Sequence, residues 1–249
     1  MTNIISIIGL LICILAITSL LKSTHAMTYL KIAALFLLVF KTIEFTLVNV
    51  KGEFSYPIEI STITYFMFSI TLLFNVKKYL HVATFFAIIS GIGFFLFYSL
   101  FGSVSLLHYD IEKHIISVIC HGILLVGGVF LLMQNEFNKS KKFDIYVVML
   151  AILGHASIFY IDSIKNTTFI YYLIKPEFLQ VFSSPWQNYL VQVLYYLILM
   201  FVFNQLIAIF YKINRNSSYL TAVLSQDEKM GNFVKSNPRQ KNQNMRRNF

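Results

Sequence analysis

His114, Ser117 and His121 follow one another at spacings of four or three, which on a helix makes them a single polar stripe. Two imidazoles and a hydroxyl in an otherwise apolar stretch are groups that acyl transfer uses. The imidazole takes a hydroxyl proton, and nearby donors hold the oxyanion. A second hydroxyl, Ser61, lies near the start of another apolar stretch, in Tyr56-Pro57-Ile58-Glu59-Ile60-Ser61-Thr62. Counted from the nearer end of its own stretch, at about 1.5 Å per residue, Ser61 is ~6 Å deep, Glu44 ~9 Å and His121 ~10 Å. This common depth makes Ser61 a candidate nucleophile, His121 its general base, and Glu44 or Glu59 the carboxylate that orients the base.

Each residue also has a simpler use. Lys41 and Glu44 are three apart and can form a structural ion pair. Glu59, just after Pro57, suits the positive end of a helix dipole, and Ser61 suits an interhelical hydrogen bond. Cys120 adjoins His121 but points about 100° away on a helix, so the two make a poor dyad. His155 and Asp162 share a face at a spacing of seven, and Asn188, Gln192, Tyr195 and Tyr196 form another polar face. With Lys41 and Trp186, the residues His155, Asp162 and Gln192 are the candidates for holding a substrate. The His residues show no ligand spacing for a metal, and no cofactor motif is present.

The elements that must carry these groups are apolar and long. With 57% hydrophobic and only 12% charged residues, the composition excludes an ordinary soluble domain. A helix needs about 20 mainly apolar residues to cross a hydrocarbon core. Seven stretches approach or reach that length: Ile4–Leu21, Tyr29–Val50, Pro57–Val76, Tyr79–Phe101, His114–Met133, Ile145–Ile164 and Asn188–Tyr211. They are continuous, without the alternation of barrel strands. The expected fold is therefore all-α, a polytopic membrane bundle of about seven transmembrane helices over residues 1–211. The first stretch has no basic leader and no small-residue cleavage site, and reads as a retained helix.

Basic residues stay on the cytoplasmic side during insertion. Lys22, Lys77, Lys78, Lys139, Lys141, Lys142, Lys212 and Arg215 fall in alternate connections and in the tail, which puts the N-terminus outside and the C-terminus in the cytoplasm. The net charge of +9 follows largely from this bias and requires no nucleic-acid partner. Residues 212–249, rich in Lys, Arg, Asn, Ser and Gln, are expected to form a disordered cytoplasmic tail, solvated or in contact with anionic lipid headgroups. The connection from Lys165 to Gln187 is aromatic, interrupted by Pro176 and Pro185, and suits an outer segment at headgroup level.

Tyr56-Pro57-Ile58-Glu59-Ile60-Ser61, Ser117-Val118-Ile119-Cys120-His121-Gly122, Thr168-Phe169-Ile170-Tyr171 before Lys175-Pro176, and Ser184-Pro185-Trp186-Gln187-Asn188-Tyr189 resemble the ordered landmarks of the YwaF-like bacterial integral membrane proteins. Those proteins are similar to eukaryotic transmembrane acyltransferases that remodel ether phospholipids, and more remotely to androgen-induced fatty-acid-ester hydrolases. The resemblance spans about Tyr29 to Tyr211 and implies action on membrane lipid. The third span of that family opens with Pro-x-His-x-Cys, whose Cys accepts the acyl group. Here the His position is Glu59, the Cys position is Ser61, the later His is His121, and an Asn of the aromatic landmark is replaced by Thr168. A serine can replace the cysteine if His121 reaches it; otherwise the site is degenerate. Two other classes stand beside the enzyme. One is a transporter whose path is lined by Lys41, Glu44, His155 and Asp162, and the other is a structural membrane protein. The inner half is poor in polar residues, Asn75, Asn204 and Gln205 being the main ones, which favours a one-sided site over a through-path.

Overall fold

The computed structural model describes residues 2–50, 60–101, 111–160 and 185–236, and among them the ordered elements are all helical. Seven helices follow in order: α1 Thr2–Lys22, α2 Ala26–Val50, α3 Ile60–Leu73, α4 Leu80–Phe101, α5 Ile111–Gln134, α6 Lys142–Tyr160 and α7 Pro185–Ser236. Single 3₁₀ turns at Lys77–Tyr79 and Lys139–Lys141 lead into α4 and α6. Among the described residues, four segments are long and apolar enough to cross a membrane: Thr2–Lys22, Lys77–Leu100, Ile111–Gln134 and Pro185–Ser217. Of the other three expected spans, Pro57–Val76 and Ile145–Ile164 each extend beyond the described residues. The third, α2, has 25 residues and carries Lys31, Lys41 and Glu44 in its interior.

The antiparallel pair α4 and α5 is the axis of the bundle. Gly91 of α4 faces the backbone of Leu125, where an added Cβ would stand 2.9 Å from Cα, and Gly128 of α5 faces the backbone of Ile88. Only residues without side chains allow helices this close, which adds dispersion contacts along both. Three packed groups surround the axis. Leu37 of α2, Phe68 of α3 and Leu124 of α5 belong to the first; Phe85 of α4, Ile145 of α6 and Phe210 of α7 to the second; and Cys13 of α1, Phe95 and Leu125 to the third.

Asn75 ends α3 with φ of 54°, and the Val76 N–H reaches back to the Thr71 carbonyl at 2.9 Å. This is the left-handed helix stop that Asn tolerates better than most side chains. The far end of the bundle is closed by Asn214. Its amide donates to the Leu132 and Asn135 carbonyls at 2.6 Å each, and its Oδ1 accepts from the Phe137 N–H at 2.9 Å. A buried side chain of α7 thus caps the C-terminus of α5, where carbonyls lack helical partners. Replacing Asn214 with alanine should cost about 1–3 kcal/mol, because buried backbone groups are left unmade. The check is thermal unfolding in detergent beside a substitution at exposed Ile213.

The last helix, α7, runs unbroken for 52 residues, about 78 Å, to Ser236. Extending an existing helix avoids the cost of nucleation, and no proline follows Pro185 until Pro238. The rest of the tail and nearly all of the aromatic connection lie outside the described residues.

Candidate functional site

His121 sits about midway along α5 and is buried. The close approach at Gly91 and Gly128 brings α4 against it, and Ser90, next to Gly91, places its Oγ 3.4 Å from His121 Nδ1. One turn on, Phe94 lies flat against the imidazole, with centroids 4.1 Å apart and planes within 9°. Tyr65 of α3 meets the ring edge-on at 5.4 Å. The Lys41 ammonium of α2 stands 4.8 Å from the centre of the Tyr65 ring and 2.6 Å from Glu44 Oε2. One residue from each of α2, α3, α4 and α5 therefore joins a single chain of contacts, Lys41–Tyr65–His121–Ser90.

Among the described residues, the hydroxyl that His121 touches is that of Ser90, which the spacing of polar residues did not single out. Ser61 lies one turn before Tyr65 on α3, on the same helical face, so it borders the cluster. Glu44 pairs with Lys41, as the spacing of three predicts, and it is Lys41 that meets the Tyr65 ring. The stacking of Lys41 on Tyr65 adds a cation–π contact, which accommodates a charged side chain of 12% exposure. Glu59 and Asp162 lie outside the described residues. His155 is an exposed residue of α6, while Trp186 and Gln192 are carried by α7, so these three sit on helices beyond the four that build the cluster. Trp186 is exposed and stacks on Tyr189 at 5.7 Å.

A second serine–imidazole contact closes the other end of the stripe. His114, fully buried, places Nε2 3.0 Å from Ser6 Oγ and 3.2 Å from the Thr2 carbonyl oxygen. The stripe expected from spacing is real in that both histidines stack on one ring, Phe94, with His114 at 5.8 Å. Ser90 and Ser6 escaped notice because a hydroxyl in an apolar helix ordinarily bonds the carbonyl four residues back. Thr42, Thr46 and Thr64 do so here. The available signal was the spacing of four that links Ser90, Phe94 and Tyr98 on one face of α4.

Chemically, a hydroxyl beside a buried imidazole is an arrangement that can serve as nucleophile and base, and a contact of 3.4 Å leaves room to tighten. In comparison with known proteins, no protein-family model, no curated protein and no solved structure matches the chain.

Proposed function

We propose that this chain is a polytopic membrane protein of about seven spanning helices that acts on a lipid acyl ester, by transfer or hydrolysis, at a site built on His121. Support for the membrane placement comes from four long apolar segments and from the large apolar side chains exposed along α1 and α7, among them Leu15, Leu194 and Phe201. A surface of that kind suits lipid and not water. The basic residues put the N-terminus outside and the C-terminus in the cytoplasm, where the far part of α7 would meet anionic headgroups. The resemblance of the Ser61 and His121 segments to YwaF-like proteins points the same way.

The observation that carries the chemistry is the Ser90–His121 contact. In this reading His121 removes the serine proton as the oxygen attacks the ester carbonyl. The proton then passes to the departing alcohol, and an acyl-serine is left. An acceptor hydroxyl or water attacks next, gives its proton to His121, and takes the acyl group, after which the proton returns to the serine oxygen. Lipid would approach laterally, between helices. In this reading Ser90 takes the nucleophile's place that spacing suggested for Ser61.

A serine-reactive lipid probe separates the two hydroxyls. Ser90→Ala should abolish labelling, while Ser61→Ala should change it by no more than about threefold. Full labelling of Ser90→Ala with loss in Ser61→Ala would restore Ser61 as the nucleophile, and full labelling of both would end the acyl-ester reading.

A further inference from the structure

An imidazole that acts as a base ordinarily uses both nitrogens. One takes the proton, and the other donates its N–H to a fixed acceptor that sets the tautomer and steadies the imidazolium when it forms. His81, His114 and His121 are the buried histidines among the described residues. Two of them have such an acceptor within the protein. His81 Nε2 lies 3.3 Å from the Lys141 carbonyl oxygen and 3.3 Å from Asp144 Oδ2, and His114 Nε2 lies 3.2 Å from the Thr2 carbonyl oxygen. His121 does not. Its Nδ1 faces Ser90 Oγ, Phe94 covers a face of the ring, and Tyr65 meets it edge-on. Nε2 has no hydrogen-bond partner among the described residues, yet it is not enclosed, the residue being 8% exposed. No carboxylate among those residues forms an ion pair with His121, and Glu44 is paired with Lys41.

When Ser90 donates to Nδ1, the neutral ring carries its proton on Nε2. The two nitrogens of an imidazole point about 144° apart, so with partners at roughly 3 Å, an oxygen on Nε2 stands about 7–8 Å from one on Nδ1. That is too far for it to belong to the ester group that Ser90 attacks. It must come from a second polar group of the same substrate. In a glycerophospholipid six bonds separate the carbonyl carbon of the central acyl chain from a free phosphate oxygen, and at about 1.5 Å per bond this zigzag reaches ~7 Å.

We propose that the substrate is a glycerophospholipid whose phosphate accepts the hydrogen bond of His121 Nε2–H, and so supplies the anion that a protein carboxylate supplies beside other catalytic imidazoles. The inference rests on the acyl-ester reading of Ser90 and His121 and names the class of ester. The Nε2 proton is not transferred at any step. As Nδ1 takes the Ser90 proton the ring becomes cationic, and its contact with the phosphate strengthens at that moment, which is where it lowers the barrier. A diacylglycerol or a wax ester offers Ser90 the same carbonyl but gives Nε2 no anion. Lys41 is a cation close to the site: its ammonium lies over the Tyr65 ring at 4.8 Å and spends one of its three N–H groups on Glu44.

The test places methylated histidines at position 121. Nτ-methylhistidine, blocked at Nε2, keeps the base at Nδ1 and loses the donor, whereas Nπ-methylhistidine, blocked at Nδ1, loses the base. The unsubstituted protein should turn over dihexanoylphosphatidylcholine at least about tenfold faster than dihexanoylglycerol, the worth of one hydrogen bond between charged groups. With Nτ-methylhistidine the two rates should come within about threefold of each other. Equal rates in the unsubstituted protein, or a preference that survives Nτ-methylation, overturn the proposal. With Nπ-methylhistidine both substrates should be lost; full turnover there removes Nδ1 as the base, while the ratio of substrates still decides the phosphate contact. If neither ester is turned over, the acyl-ester reading falls and protection decides the contact. Diethyl pyrocarbonate should modify His121, and dihexanoylphosphatidylcholine should slow that modification at least about fivefold more than dihexanoylglycerol does. Equal protection by the two lipids, or a His121 that does not react, overturns the proposal.

Discussion

Ester turnover should fall by about 100-fold or more when His121 is replaced by glutamine, since positioned general-base catalysis commonly contributes 10²–10⁴. Glutamine is the informative substitution because its amide still offers hydrogen-bonding atoms towards Ser90 while accepting no proton at neutral pH. His121→Ala should lose as much activity. It also removes a ring packed between Phe94 and Tyr65, so a loss there alone mixes chemistry with packing. The measurement is release or transfer of a labelled acyl chain by protein purified in detergent, with unfolding followed in parallel. A His121→Gln protein that is folded and retains more than about a third of the turnover would show that the imidazole is not the base. Lys41→Met should act less severely, because Lys41 meets Tyr65 and Glu44 and not the imidazole hydrogen bond itself.

A single methyl group should separate two glycines of α4. At Gly91 an added Cβ would stand 2.7 Å from Leu125 Cβ and 2.9 Å from its Cα, and a backbone atom cannot rotate aside. Gly91→Ala should therefore destabilise the protein by about 1–3 kcal/mol, as overpacking does. At Gly93 nothing lies within 4 Å, so Gly93→Ala should be neutral or stabilising by up to about 1 kcal/mol, alanine being the better helix former. Comparing their midpoints of thermal unfolding in one detergent isolates the α4–α5 approach from any general effect of adding a methyl. Activity should follow the same order. Pushing α4 away at Gly91 also moves Ser90, its neighbour, from an imidazole already 3.4 Å distant. Equal midpoints for the two variants would mean that this glycine contact does not set the helix spacing.

Helices were legible wherever a property accumulates along the chain. The apolar stretch Tyr79–Phe101 became α4 at Leu80–Phe101, and His114–Met133 became α5 at Ile111–Gln134, because uninterrupted apolar length reports a helix directly. The pairing of Lys41 with Glu44 was legible for a similar reason, since a spacing of three fixes two side chains on one face before any tertiary contact exists. The partner of His121 was not. Ser90 and His121 are 31 residues apart, and Ser6 and His114 are 108 apart. Such contacts depend on which faces of which helices meet, a matter decided by small residues such as Gly91 and Gly128 rather than by polar spacing.

The cap made by Asn214 bears on the order in which the chain is completed. The carbonyls it serves are those of Leu132 and Asn135, which precede it by 82 and 79 residues. During synthesis α5 can find α1 and α4 and bring His121 against Ser90 while its own far end still lacks these donors. Only when α7 has been made and seated does that end receive them. Asn214 is therefore a late fastening, and a ribosome-bound intermediate of the first five helices would hold the serine–imidazole pair before the bundle is closed.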